Sequence, residues 1–343
     1  MPMLTARRIP LIPLLLLAAC LIASVAVGSV FIPPTTLLGL LGARLSGQTI
    51  PADWQPFAAI IFDLRLPRTV LIALTGAALA GSGASYQGLF RNPLADPYLI
   101  GVASGAGLGA VLAMSVRWPY TLWGLLAIPT FAFLTALLTV LVVYQLARVG
   151  ATLPITNLIL AGVAISSFTT ALTSYLMINA SGELRRALVW LLGGASQTGW
   201  QPVLVIFPFI LVGLGILASL GHALNVLQFG DEQAQQLGLP VNRVRWLVIL
   251  AASLTTAAAV SFAGIIGFVG LIVPHTVRLI WGPDYRRLIP LSIVNGATLL
   301  LCADILARLV LAPREVPVGI ITAMAGAPFF LWVLRRAKQQ NYW

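Results

Sequence analysis

Charged side chains are scarce in this chain. Only 8% of its 343 residues are Asp, Glu, Lys or Arg, whereas 59% are hydrophobic. About a quarter of a typical soluble domain is charged, so these proportions exclude an ordinary soluble globule. A membrane-spanning helix needs roughly 20 predominantly apolar residues, and the hydrophobic residues are enough for about ten such helices. The composition predicts an all-α polytopic membrane protein, which we expect to form a single transmembrane domain over residues 1–343.

Lysine is almost absent. Lys338, near the C-terminus, is the only lysine among 20 basic residues. A phosphate-binding loop of the form GxxxxGK[ST] requires a lysine beside a helix N-terminus, where it reaches the nucleotide phosphates. No segment of this sequence fits that pattern. If ATP drives this protein, another polypeptide hydrolyses it, and the chain itself is not expected to be an enzyme.

Residues that bind metals or form disulfides are also few. The two cysteines, Cys20 and Cys302, lie inside apolar runs without the spacing of a metal site, which favours buried packing residues over a disulfide or zinc ligands. The two histidines, His222 and His275, lie near the ends of apolar runs and are not expected to be ligands or proton relays. The sequence therefore predicts no metal site, no catalytic residue and no cofactor on this chain.

Acidic residues at membrane depth are rare as well. Ion-coupled carriers usually place carboxylates or histidines there, where such groups are costly and mark function. Of nine acidic residues, Asp304 alone lies well inside an apolar run, and Arg308 follows it by one helical turn. This spacing favours a structural ion pair near the outer membrane face. An ion-coupled secondary transporter is therefore the weaker alternative to a transporter driven by a separate ATPase, and a non-transporting membrane scaffold or enzyme is a third.

Apolar runs are what the chain has in abundance, and turns containing proline separate most of them. The first run follows Arg7 and Arg8 and has features of a signal peptide. Signal h-regions are typically about 7–15 residues, so a retained helix is favoured. The boundary near residues 262–264 has no polar loop and is the least well defined. The predicted spans cover residues 11–32, 67–90, 98–115, 119–146, 155–178, 201–222, 245–263, 265–282, 288–311 and 317–335.

The net charge of +11 comes from basic residues scattered singly or in pairs between these runs. This pattern favours membrane orientation over nucleic-acid binding, because basic residues are enriched in cytoplasmic loops. Ten spans with the N-terminus inside place twelve basic residues on the cytoplasmic side and eight outside. We therefore expect both termini in the cytoplasm, and the outer arginines require a separate explanation.

The polar connection over residues 222–245 (HALNVLQFGDEQAQQLGLPVNRVR) contains signals for two short helices. Asp231 is a suitable N-cap, with Glu232 in the first turn. Gly238 is a suitable stop, and Pro240 can begin a second short helix. These elements predict either a knob that fits a groove on a partner, with an apolar seam, or an ordinary solvated loop. The seam consists of Leu227, Phe229, Ala234, Leu237 and Leu239.

Six stretches of the sequence resemble the iron-chelate, haem and cobalamin permease family, the FecCD-type membrane subunits of type II ABC importers. They run in order from about residue 60 to the C-terminus, and together they are more specific than any one alone. The stretches are LRLPR with GAALAGSGASYQGLFRNPLADPYLIGVASG within 64–105, VWLLGG at 189–194, LGLPVNRVR at 237–245, GFVGLIVPHTVRL at 267–279, ADILARL at 303–309 and EVPVGIITAMAGAPFFLWVL at 315–334.

The resemblance implies ten transmembrane helices per subunit and the type II ABC importer permease fold. It implies a second permease subunit, either an identical or a similar chain, around a central pathway. Two cytoplasmic ABC ATPase subunits would hold the ATP and Mg²⁺, and a periplasmic or lipid-anchored binding protein would deliver the ligand. The implied cargo is a ferric siderophore, haem or cobalamin, and the implied location is the inner membrane of a bacterium.

Site residues follow from the same resemblance. The segment 230–243 matches the coupling helices that contact the ATPase, which favours the knob over the solvated loop. Arg65, Arg68 and Arg308 match cations presented to acidic residues of the binding protein, which would explain the outer arginines. Two pairs match an inner constriction, although Ile155 departs from the small hydroxyl residue often found there. The constriction residues are Asn92, Leu94, Ile155 and Thr156, and the coupling residues are Phe229, Gly230, Asp231, Glu232, Ala234, Leu237, Gly238, Leu239 and Pro240.

Overall fold

A computed structural model describes residues 10–28, 30, 32–116, 118–119, 121–150, 152–179, 184–195 and 199–339. Over these residues the chain folds into helices and their connections, without a β-strand. A 3₁₀ turn (Ala52–Trp54) and a π-helical turn (Ile60–Arg65) precede the first fully buried helix. The α-helices are α1 Leu11–Ala26, α2 Pro34–Ser46, α3 Gln55–Ala59, α4 Leu66–Phe90, α5 Val102–Met114, α6 Leu122–Ala147, α7 Ile155–Asn179, α8 Leu184–Leu191, α9 Gln201–Ser219, α10 Gly221–Leu227, α11 Asp231–Gln236, α12 Val241–Ala263, α13 Val269–Trp281, α14 Tyr285–Leu309 and α15 Val318–Gln339.

Each predicted apolar run largely overlaps one long or medium-length helix; in chain order these are α1, α4, α5, α6, α7, α9, α12, α13, α14 and α15. Within the described residues, five helices are long and apolar enough to cross a membrane, and four shorter helices are also apolar. The prediction of an all-α polytopic membrane protein is confirmed. The helices that the apolar pattern did not reveal are α2, α3, α8, α10 and α11.

Helix α4 lies at the centre of the bundle and is buried over most of its length. Two of its glycines allow neighbouring backbones to approach closely. A Cβ atom added to Gly76 would lie 2.3 Å from the carbonyl oxygen of Gly296 on α14, and one added to Gly83 would lie 2.1 Å from that of Gly270 on α13. Small residues permit such close helix packing in lipid, so α4, α13 and α14 form a tightly packed unit.

The poorly defined boundary near 262–264 is a break in the helical backbone. Residues 264–268 are not helical, with positive φ at Gly264 (67°) and Phe268 (69°), so α13 begins only at Val269 rather than at the predicted residue 265. Non-helical backbone at membrane depth requires protein partners. The hydroxyl of Tyr98 donates to the carbonyl of Ile266 at 2.9 Å, and the amide of Gly194 donates to that of Ala263 at 2.6 Å.

The prediction that both cysteines are buried packing residues is wrong. Cys302 is exposed and Cys20 is half-buried, and their sulfur atoms lie 3.4 Å apart on the surface shared by α1 and α14. An apolar run in a membrane protein does not distinguish residues that face the protein interior from residues that face outward, and this accounts for the error.

Candidate functional site

The three arginines predicted to dock a binding protein converge at one end of the bundle. The π-helical turn ends at Arg65 and continues directly into α4, which places Arg68 on the first turn of that helix. Arg308 lies on the last turn of α14, beside them. We call this group, together with the carboxylates of Asp304 and Glu315, the arginine cluster. Its geometry shows what each guanidinium group contacts.

Arg65 is buried and holds the C-terminal end of α1. Its Nη1 donates to the carbonyls of Val25 and Ala26 at 3.0 and 2.8 Å. The last carbonyls of a helix have no partner within the helix, and arginine side chains can satisfy them. A Cβ atom on Gly28 would lie 2.6 Å from Nη2 of Arg65, so the guanidinium fits because residue 28 is a glycine.

Arg308 also binds the end of α1 and completes the predicted ion pair. Its Nε lies 3.0 Å from Oδ2 of Asp304, one turn earlier on α14. Nη1 donates to the carbonyls of Ser24 and Val27 at 3.1 and 2.9 Å, and Nη2 donates to the hydroxyl oxygen of Ser24 at 3.0 Å. The predicted Asp304–Arg308 pair is confirmed, and α1 is attached to α14 through it.

Arg68 links two carboxylates that sequence reasoning did not connect. Its Nη2 lies 2.9 Å from Oδ1 of Asp304, and its Nη1 lies 2.7 Å from Oε2 of Glu315. The Asp304 side chain is 0% exposed, whereas those of Arg68 and Glu315 are 19% and 48% exposed. Glu315 follows the loop after α14, so only the folded chain brings it to Arg68. Within the arginine cluster, Arg68 and Glu315 are therefore the side chains that a partner can reach.

The predicted docking role of Arg65 and Arg308 stays a prediction. Both side chains are buried and donate to groups within the chain. Three guanidinium groups and two carboxylates leave the arginine cluster with a net charge of +1. The cluster can therefore attract an acidic surface even though only part of it is exposed.

The coupling segment lies at the opposite end of α4 and differs from its prediction in two details. Gly230, with φ at 106°, is the residue that precedes α11, and Asp231 is the first helical residue rather than the cap. The carboxylate of Asp231 accepts two hydrogen bonds from Nη2 of Arg245, at 2.8 and 2.7 Å, and no side-chain hydrogen bond caps α11. Pro240 precedes the long helix α12 and not a second short helix. The second short helix is α10, on the N-terminal side.

The predicted apolar seam divides into buried and exposed positions. Leu227 and Ala234 are buried and Leu239 is half-buried, so these residues attach the segment to the bundle. Phe229 and Leu237 are each 69% exposed. We call α11, together with Phe229 before it and Leu237 after it, the knob. Exposed apolar side chains on a small, well-anchored helix are typical of a protein contact.

Arg245 connects the knob to the predicted constriction. Its side chain is buried, and besides Asp231 its Nη1 contacts the carbonyl of Leu153 at 3.2 Å, two residues before Ile155. Arg91, the residue before Asn92, places Nη2 3.8 Å from the same Asp231 carboxylate. One acidic side chain on the knob therefore reaches residues adjacent to both halves of the constriction.

The constriction segment between α4 and α5 is built from two side-chain turns. Oδ1 of Asn92 accepts from the amide of Leu94 at 2.9 Å, and Oδ1 of Asp96 accepts from that of Tyr98 at 2.8 Å. Burial raises the pKa of Asp96 to about 6, partly offset by that hydrogen bond. Leu94 is exposed, so it can face a pathway or a second subunit.

The other half of the constriction lies at the start of α7. Thr156 is exposed and Ile155 is half-buried. A Cβ atom on Gly162 would lie 2.2 Å from the carbonyl oxygen of Leu99, so α7 packs directly against the segment that contains Asn92 and Leu94. The structure therefore brings the two predicted halves to neighbouring elements, and the gating role itself stays a prediction.

One polar anchor of α10 was missed by sequence reasoning. Asp284 precedes α14 and accepts from the side-chain amide of Asn225 on α10 at 2.6 Å. It also accepts from the backbone and side chain of Arg286. The hydrogen bonds from Arg286 hold the pKa of Asp284 well below its usual range, although burial opposes this. Among the described residues, no group of three or more His, Cys, Asp or Glu side chains could hold a metal ion.

A helical bundle with five helices long and apolar enough to cross a membrane within the described residues, and with ionic clusters at both ends of its central helix α4, defines a polytopic membrane protein. Residues 15–336 match the FecCD transport family, and the chain belongs to that family.

The alignments with curated relatives cover most of the chain. It is 40% identical over 321 residues to the uncharacterized ABC transporter permease protein YvrB of Bacillus subtilis, covering 93% of this chain and 91% of that protein. It is 46% identical over 276 residues to the cobalamin import system permease protein BtuC of Halobacterium salinarum, covering 80% and 73%. It is 40% identical over 302 residues to the hemin transport system permease protein HmuU of Yersinia pestis, covering 86% and 87%.

A solved structure has the same fold. It is an inward-facing conformation of a protein assigned to the metal-chelate type of ABC transporter, with a TM-score of 0.79 and 31% sequence identity. The match covers 95% of this chain and 97% of that one. The predicted type II ABC importer permease fold is confirmed.

Proposed function

We propose that this chain is the permease subunit of an ABC importer that carries a metal chelate into the cytoplasm, with a ferric siderophore, haem or cobalamin as cargo. Relatives named for cobalamin and hemin import support this cargo class. The observation that carries the proposal is the knob. Its exposed Phe229 and Leu237 offer a contact for another protein, and its Asp231 reaches both halves of the constriction through Arg91 and Arg245.

The energy source lies on partner chains. Two ABC ATPase subunits would bind ATP and Mg²⁺ and would contact the knob of each permease subunit. When they move the knob, the Asp231–Arg245 pair transmits the displacement to Leu153 and so to the start of α7. No covalent step occurs on this chain, because its role is to change which side the pathway faces.

A second permease subunit would complete the pathway. Helix α7 is the least buried of the five long apolar helices, with 17% of its apolar window buried. Its exposed face carries hydroxyl side chains, including Ser167 and Ser174, among apolar residues. Both hydroxyls donate to carbonyls four residues earlier in α7, and such small, weakly polar side chains suit a pathway wall shared with another chain. A large chelate would pass such neutral walls without being held tightly.

The orientation follows from the same assignment. The knob would face the cytoplasm of a bacterium with both termini, and the arginine cluster would face the outside of the inner membrane. A binding protein would then approach Arg68 and Glu315 from outside, and the net positive charge of the cluster would steer an acidic docking surface.

Uptake by the complete complex in liposomes tests the proposal. The chain is reconstituted with its ATPase and binding protein, and haem, cobalamin and a ferric siderophore are supplied separately. ATP-dependent accumulation of one of them that vanadate abolishes is the expected result. Uptake that survives vanadate and collapses with a protonophore would identify an ion-coupled secondary transporter instead.

A further inference from the structure

The sequence contains two cysteines, and the fold places them side by side. Cys20 lies on α1 and Cys302 on α14, 282 positions apart in the chain, yet their sulfur atoms are 3.4 Å apart. Two sulfur atoms at van der Waals distance need only a small side-chain adjustment to form a bond. Neither residue belongs to the arginine cluster, the knob or the constriction, so the pair is not explained by transport.

The neighbouring polar contacts hold the two helices in this register. Ser24, one turn beyond Cys20 on α1, contributes its hydroxyl and its carbonyl to Arg308 on α14 at 3.0 and 3.1 Å. Arg308 lies six residues beyond Cys302, so both helices run in the same direction past each other. Because Arg308 fixes the helices less than two turns away, the thiols are held together rather than meeting by chance.

The pair is also accessible to an oxidant. Cys302 is exposed and Cys20 is half-buried, and both lie on apolar helices. Reagents that dissolve in the membrane can therefore reach the sulfur atoms, whereas charged reagents in water are at a disadvantage. The pair lies towards the end of α14 that carries Arg308, which is the outer end in the proposed orientation, where the compartment is oxidising.

We propose that Cys20 and Cys302 are a modification site at which a membrane-soluble two-electron oxidant, such as an organic hydroperoxide, forms a reversible disulfide. The two thiols together lose two protons and two electrons as the S–S bond forms. The hydroperoxide O–O bond breaks and takes them up, giving an alcohol and water. The product fastens α1 covalently to α14, beside the Arg308 contacts. A thiol reductant reverses the step.

Thiol counting on the full-length protein in lipid vesicles tests the proposal. The vesicles are treated with cumene hydroperoxide, and the denatured protein is labelled with a maleimide that shifts its mobility. Before oxidation the chain should take two labels, and afterwards none, while still migrating as a single chain. Dithiothreitol should restore both labels, and the intact mass should fall by two hydrogens on oxidation.

Variants separate proximity from general reactivity. Cys20→Ser and Cys302→Ser each leave one cysteine, which can pair only between chains, so their crosslinking should be at least tenfold slower and should slow further as the lipid ratio rises. The matched control combines Cys302→Ser with Leu309→Cys, which moves an exposed thiol along α14 by about 10 Å. This variant should also fail to form the internal bond.

Three results would overturn the proposal. Wild-type protein that keeps both labels while a lipid-soluble thiol standard is fully oxidised would show that the sulfur atoms do not meet. Labels that dithiothreitol does not restore, with added oxygen in the mass, would mean overoxidation of separate thiols. A disulfide in the Leu309→Cys control as fast as in the wild type would mean that helix register does not direct the pairing.

Discussion

The two ends of α4 are built on opposite principles. At the arginine cluster, the cations reach their partners through many hydrogen bonds, and Asp304 at its centre is fully buried. At the knob, one carboxylate and a few buried apolar side chains join a small helix to the bundle, and two large apolar side chains are 69% exposed. The comparison indicates that the first end fixes helices in place, and in the proposed function the knob is the end that a partner chain moves.

The largest effect is expected from Asp304→Asn. This change removes the negative charge shared by Arg68 and Arg308 and can place an amide donor against Nε of Arg308. Removing one partner of a buried ion pair costs about 3–5 kcal/mol. Thermal unfolding of the purified protein should show a large fall in stability. Equal stability of Asp304→Asn and wild type would mean that the arginine cluster does not hold α1, α4 and α14 together.

Asp231→Asn tests the other end. The knob would lose the charge that pairs with Arg245, at a cost of about 1–3 kcal/mol because the Asp231 side chain is partly exposed. The protein should stay folded. ATP-driven uptake should fall more than tenfold, because displacement of the knob no longer reaches Leu153. Asp53→Asn, which removes an exposed carboxylate in the 3₁₀ turn remote from the knob, is the matched control and should leave uptake unchanged. Equal uptake by both variants would remove Asp231 from the coupling route.

The double variant Phe229→Ala with Leu237→Ala tests what the knob contacts. Both side chains are mostly exposed, so the fold should be retained. The affinity for the ATPase should fall about tenfold if these residues are the apolar centre of the contact. Binding of the ATPase to the permease in detergent measures this, with Gln235→Ala as an exposed control on the same helix. An unchanged affinity would place the contact elsewhere.

The raised pKa of Asp96, in the constriction segment, predicts that the stability of the fold depends on pH. Its pKa is raised from 3.8 to about 6 in the folded chain, so the folded state keeps a proton that the unfolded state releases. Stability is then greatest below about pH 4 and falls as the pH rises to about 6, by on the order of 1 kcal/mol given partial exposure. Unfolding measured across this range should lose that slope in Asp96→Asn. A slope that persists in the variant belongs to another group.

The smallest effect is expected from Glu315→Gln. Removing an exposed carboxylate raises the net charge of the arginine cluster from +1 to +2, with a stability change of about 0–1 kcal/mol. The binding protein should associate several-fold faster at low salt, and the gain should shrink as salt is added. Slower association would mean that Glu315 itself is part of the docking contact.

Sequence reasoning succeeded where the signal was local. Apolar runs located ten of the helices, and the one-turn spacing of Asp304 and Arg308 identified their ion pair. It failed where chain segments meet in space. Nothing in the sequence joins Glu315 to Arg68, or Leu153 to Arg245, because these contacts depend on tertiary packing. The sequence located the helix break near Gly264 but not its length, since its polar groups are satisfied by distant residues and the sequence stays apolar.

The glycine contacts of α4 limit how the protein can change shape. Where backbones already touch at Gly76 and Gly296, and at Gly83 and Gly270, helices can neither slide past one another nor rotate without collision. We therefore expect helices α4, α13 and α14 to move as one rigid body. Any switch between outward-open and inward-open states has to hinge around this body, through elements at its periphery such as α7.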